Sequence, residues 1–203
     1  MTSRSWRRSG PSRRRRPRTL GELTVEADWL DTNAMGRDDR WAGVSFTTTF
    51  DEPPAVPAVF ASVMSYAGSD AVTTRIQNLD TLGFDLAMDE QKNKDPWHVS
   101  ETLGWIAIQQ GSTSTAEGRK VQVFATGLND ELTAVSYPST TSHRHPTVVG
   151  DVDTTYEADP VFLRYASPTN AQIQLKLTED NSDGSGTVHD PLEPEAVGIF
   201  VGE

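Results

Sequence analysis

The sequence predicts an all-β protein: two tandem antiparallel β-sandwich modules preceded by a basic N-terminal arm. Three observations predict it. Short apolar or β-branched runs alternate with polar residues at period two, turn residues recur between them, and the chain repeats itself. Shifted by 89 positions, Pro57–Glu90 falls on Pro146–Glu179 without a gap, with 8 of 34 positions identical. Chance would supply about two. The correspondence resumes with His98 on His189 and Glu101–Ala107 on Glu195–Val201.

The first 20 residues carry eight arginines, including Arg13, Arg14, Arg15 and Arg16, and no acid. Such a segment buries too little apolar surface to fold alone and is expected as an arm, either a disordered leader or a docking element for an anionic surface such as a capsid shell. The modules are expected at residues 21–111 and 119–203, joined by a Ser/Thr/Gly linker around Ser112–Gly118. Within them, Phe84, Leu86 and Met88 alternate with Asp85, Ala87 and Asp89, and Ile173, Leu175 and Leu177 alternate with Gln174, Lys176 and Thr178. Each pattern is a strand with one buried face. Ser45–Phe50, Leu103–Ile108 and Val121–Phe124 read as further strands. Trp41 and Trp105 follow apolar alternation and are expected in the core. A module of fewer than a hundred residues buries a modest core, so packing between copies or oligomerisation should add stability.

Charge and composition exclude several classes. With no cysteine among 203 residues, disulfides, thiolate zinc sites and cysteine nucleophiles are ruled out. No apolar run is long enough to span a membrane, and none follows the basic N-terminus as a signal peptide requires. Net charge is −11, yet residues 21–203 carry only ten Lys or Arg against 29 Asp or Glu. So acidic a body is a poor partner for nucleic acid and fits a high-salt setting, where hydrated carboxylates keep a surface soluble. Lysine occurs only at Lys92, Lys94, Lys120 and Lys176, which also points to a halophile.

Chemistry-bearing residues gather after the Phe84 strand: Glu90, Asp95, His98 and Glu101. The second copy offers Glu179, Asp180, Asp183, His189 and Glu195. Carboxylates with an imidazole suit a divalent ion, but the spacing differs between copies and no metal is assigned. The alternative is structural, with Arg75 paired to Glu90 and Arg164 to Glu179. Asp180–Gly186 looks like a calcium loop but lacks the ligand spacing and flanking helices, and Lys92 and Lys94 occupy the matching place in the first copy. It is expected as a solvated hairpin, and no cofactor is expected. No Gly-x-Ser-x-Gly elbow exists, and His143 and His145 lack an evident third ligand, so no enzyme is expected. Trp97, beside His98, provides an indole face with polar neighbours, a usual platform for a sugar ring.

Trp41–Phe46, Phe50, Pro53–Pro54 and the Pro57–Val63 strand resemble the opening of an H-type lectin domain. Arg75–Ile76, Gly83–Leu86 and Glu101–Ala107 resemble its later strands, and residues 146–201 do so more weakly. The resemblance implies a six-stranded antiparallel sandwich, trimeric assembly, and sugar binding, often of N-acetylgalactosamine, at clefts between subunits. The second copy lacks the Trp and Phe opening and is read as degenerate. The expected function is therefore non-enzymatic glycan binding or adhesion at an extracellular surface, with Trp97, His98, Asp95 and Glu101 lining the site and a homo-oligomer supplying avidity. The alternative is a virion or surface-layer structural protein anchored to a capsid or tail partner by its arm.

Overall fold

The computed structural model describes residues 18–50, 53–54, 56–138, 143–156, 159–184 and 194–203. The described residues build antiparallel sheets and one short 3-10 turn, Gly36–Asp38. The first half contributes β1 (Arg18–Leu20), β2 (Leu23–Thr32), β3 (Ala42–Ser45), β4 (Ala58–Val63), β5 (Val72–Gln77), β6 (Gly83–Glu90) and β7 (Glu101–Ile108). The second contributes β8 (Gly111–Ser114), β9 (Lys120–Leu128), β10 (Thr133–Ser136), β11 (Thr147–Val152), β12 (Val161–Ala166), β13 (Gln172–Glu179) and β14 (Glu195–Gly202).

Both halves pair their strands in one pattern. The first forms sheets β1-β2-β7-β4 and β3-β6-β5, the second β8-β9-β14-β11 and β10-β13-β12. Register repeats as well: Val59 faces Ala107 as Val148 faces Val201, and Arg75 faces Ala87 as Arg164 faces Lys176. After β5 and β12, Asn78 (φ 52°) and Ser167 (φ 49°) turn the chain through the same left-handed conformation. Each half has seven described strands, against the six that the lectin resemblance implies.

Period-two alternation places each core. Phe84, Leu86 and Met88 of β6 meet Leu103, Trp105 and Ala107 of β7 between the first two sheets. Trp105 packs edge-on against Phe84, with ring centroids 5.4 Å apart. Ile173, Leu175 and Leu177 meet Val197, Ile199 and Val201 in the second sandwich. Each large side chain so buried stabilises the fold by about 1.5–3 kcal/mol. Trp41 is half-buried, beside Gly36.

Three expectations shift. The strand expected at Ser45–Phe50 lies instead at Ala42–Ser45, and beyond it the amides of Thr47 and Thr48 donate to the buried Glu26 carboxylate rather than to a neighbouring strand. Arg18–Leu20, placed in the arm by composition, form β1 on the edge of β2. Ser112–Ser114, expected as linker, lie in β8 and pair with β9. Arg13, Arg14, Arg15 and Arg16 lie outside the described residues.

The sandwiches pack through the outer faces of the β1-β2-β7-β4 and β8-β9-β14-β11 sheets, where Leu23, Ala58 and Ile108 meet Val121 and Val123. β4 is the edge of its sheet, so alternate amides point away from β7. Carboxylates on β11 and just beyond it take them: Asp151 accepts from Ala61 N at 2.7 Å, and Asp153 from Val59 N at 3.3 Å. Gly198 admits this approach, since a Cβ there would lie 2.6 Å from the Asp153 carboxylate and 3.0 Å from Ala58.

Candidate functional site

The connection from β6 to β7 carries the residues that the sequence singles out, and the structure divides them. His98 and Glu101 are buried. His98 Nδ1 lies 2.5 Å from Glu90 Oε1, and Nε2 lies 3.2 Å from Glu101 Oε1. Burial works against a charged imidazole, but the two carboxylates outweigh it and raise the His98 pKa. Glu101 accepts from the Ser65 hydroxyl, from Gly68 N at 2.9 Å and from Ala67 N at 2.8 Å. Those hydrogen bonds, the Ser65 one foremost, hold its pKa down to about 2. His98 and Glu101 therefore fasten the loop from behind rather than line a surface site.

The second half repeats this clasp. Glu195, the counterpart of Glu101, accepts from the Thr154 hydroxyl and from Tyr156 N at 2.7 Å. Thr154 and Tyr156 stand 89 positions after Ser65 and Ala67. The hydroxyl of each pair in turn accepts a β7 or β14 amide, Thr102 N at 2.7 Å and Ala196 N at 2.8 Å. His189 lies outside the described residues.

The expected Arg75–Glu90 pairing is replaced by another. Arg75 stands opposite Ala87, so its side chain shares a face with Asp85 and Asp89, whereas Glu90 stands opposite Val72 on the other face. Accordingly Arg75 Nη1 lies 3.1 Å from Asp89, both side chains buried. The same nitrogen donates to the Asp159 carbonyl at 2.7 Å, tying the first sandwich to the second. Burial raises the Asp89 pKa against the pull of Arg75. The register likewise puts exposed Arg164 opposite Lys176 and Glu179 opposite Val161, so those two residues also point to different faces.

Trp97 and Asp95 are the exposed members. The Trp97 side chain is 63% exposed. Its amide donates to Asp95 Oδ1 at 2.9 Å, which closes a short turn. The Arg40 guanidinium lies 4.7 Å from the ring centroid and is itself anchored to Asp38 at 2.6 Å and to the Pro96 carbonyl at 3.1 Å. The indole is thus braced by a cation, which Asp38 holds in place, and Asp95 fixes the turn that carries it. Arg40 was not singled out by sequence; it lies 57 positions away, and only the fold brings the two together.

The Asp180–Gly184 segment is a docking loop. Asp180 accepts the Lys92 amide at 2.6 Å, while the Lys92 ammonium lies 2.7 Å from Asp159 and 3.5 Å from Asp183. The lysine supplies the positive charge that a bound cation would bring. Among the described residues no His, Asp or Glu group of three or more is arranged to hold a metal ion.

Two concave regions were not legible in the sequence. A small polar cleft of about 170 Å³ opens where β5 meets β11 and β12, lined by Thr73, Thr74, Asp151 and Tyr165. A larger trough of about 1070 Å³ lies on the outer face of the β1-β2-β7-β4 sheet, floored by Val25, Trp29, Phe60 and Ile106, with Met64 and Val149 at its sides. Its signal is the alternation Val25, Ala27, Trp29 on β2. Such a pattern ordinarily marks the core-facing side, but here it faces outward.

Fold and site together define a duplicated antiparallel β-sandwich protein with a braced, solvent-facing tryptophan and an apolar sheet face that no described residue covers. The chain is similar to a segment of halomucin from Haloquadratum walsbyi, 29% identical over an alignment of 145 residues that covers 68% of this chain. It spans 2% of the length of that curated relative. No protein family and no solved structure matches the chain.

Proposed function

We propose that the chain is a non-enzymatic recognition module of a halophilic extracellular surface protein, holding a glycan against the Trp97 indole. The observation that carries this reading is the braced ring: 63% exposed, with a guanidinium that Asp38 holds 4.7 Å from its centroid and with the Asp95 carboxylate accepting the Trp97 amide. A pyranose packs its C–H face on such a ring while its hydroxyls meet the carboxylates. The acidic, lysine-poor composition and the similarity to a segment of halomucin support the halophilic surface setting. The H-type lectin resemblance supports the ligand class. One shallow platform binds weakly, so display in several copies supplies the avidity that adhesion needs.

The test is a glycan array at 3 M KCl with the full chain, followed by titration of any sugar retained. Trp97→Ala should lower affinity at least tenfold with the fold intact by circular dichroism. Equal retention by wild type and variant removes Trp97 from the site, and absence of any retained glycan removes the ligand class.

A further inference from the structure

Among the described residues, the outer face of the β1-β2-β7-β4 sheet is covered along one part of its area and open along the rest. The covered part is the junction with the second sandwich, where Leu23, Ala58 and Ile108 are buried. The open part is the trough, and the two are continuous: Val25 and Phe60 pack against the junction cluster and also floor the trough. Val149 of the second sandwich, 48% exposed, forms part of its wall. Trp29 is 55% exposed and Ile106 44%, and both line the trough, an apolar patch of the kind that often marks a site of contact.

We infer that a second copy of this chain covers the trough, face to face, extending the junction between sandwiches into an interface between chains. Continuity with the buried junction carries the choice of occupant: the sheet face that already packs one sandwich goes on, uncovered, past its edge. A two-fold arrangement sets the patch against itself, which demands no second complementary surface. Charge is compatible with this pairing. The floor is apolar, and the buried Glu26 carboxylate is taken up by Thr47 and Thr48. The repulsion to be overcome comes from the acidic body, which has ten bases against 29 acids over residues 21–203. At molar salt the screening length falls to about 3 Å, so that repulsion is removed while the apolar contact stays. Association should therefore be driven by salt, unlike pairing through salt bridges.

The experiment is sedimentation velocity of the full chain across micromolar concentrations in 0.2 M and 3 M KCl. Wild type should shift from monomer to dimer, with the dimer dissociation constant falling at least tenfold at high salt. Ile106→Asp should weaken the 3 M dimer at least tenfold. If that variant is unfolded by circular dichroism, Met64→Asp, at a side chain 65% exposed, gives the same reading. Because the chain has no cysteine, Ile106→Cys offers one thiol, whose maleimide labelling should slow at least fivefold on dimerisation. A monomer at 3 M KCl, a dimer indifferent to the aspartate variants, a thiol labelled equally in both states, or a trimer each overturns the inference. None of these outcomes bears on Trp97, which lies off this face.

Discussion

Replacing Asp151 by asparagine should lessen the pH dependence of stability between about pH 4 and pH 7. Asp151 sits on β11 against the edge of β4, accepting from Ala61 N at 2.7 Å and Val152 N at 2.9 Å. Burial raises its pKa from 3.8 to about 7 despite those hydrogen bonds, and Asp153 beside it is also raised, by burial first and then by the Asp151 charge. In the unfolded chain the carboxyl loses its proton near pH 4, whereas in the folded protein it keeps it up to about pH 7. Between those values the native state binds more protons than the unfolded state, so the Asp151 contribution falls as pH rises and levels off above about pH 7, while Asp153 adds a fall of the same sign. A shift of about three units at 1.36 kcal/mol each gives an upper bound of about 4 kcal/mol lost across the window. Asparagine keeps an oxygen for the β4 edge and cannot ionise. Asp151→Asn should therefore match wild type near pH 4 and exceed it by up to about 4 kcal/mol at pH 8. Urea unfolding at half-unit pH steps in 3 M KCl reads this out. His98, whose pKa is raised, adds a slope of the same sign above about pH 6.5, which cancels in the difference between the two proteins. Parallel curves for wild type and variant would refute the assignment of the slope to the β11–β4 contact.

Two further predictions concern stability. Glu101→Gln and Glu195→Gln should each destabilise by about 1–3 kcal/mol, since each buried clasp loses charge-assisted hydrogen bonds from a hydroxyl and backbone amides. Denaturant midpoints should fall by similar amounts for the two, and a cost confined to one half would show that the clasps are not equivalent. Removing salt should lower the melting temperature, because acids outnumber bases by 29 to 18 over the whole chain and repel one another unscreened. Circular dichroism melts from 3 M to 0.1 M KCl check this, and a salt-independent midpoint would count against the halophilic reading.

Strand content and the duplication were readable in the amino-acid order alone. Both are local or periodic properties: Phe84, Leu86 and Met88 announce a buried face without reference to anything else, and the 89-residue offset needs only the chain laid on itself. The sequence also marked the β6–β7 connection as the place where chemistry gathers. Tertiary structure decided what each residue there does. Which of Asp89 or Glu90 meets Arg75 depends on β5–β6 register, because a one-residue change in pairing moves a side chain to the opposite face. Whether His98 or Trp97 faces solvent depends on Ser65, Gly68 and Arg40, which come from segments distant in the chain. The outward apolar face around Trp29 is the clearest case: alternation says that a strand has two unlike sides, and only the packing of sheet on sheet says which side is inside.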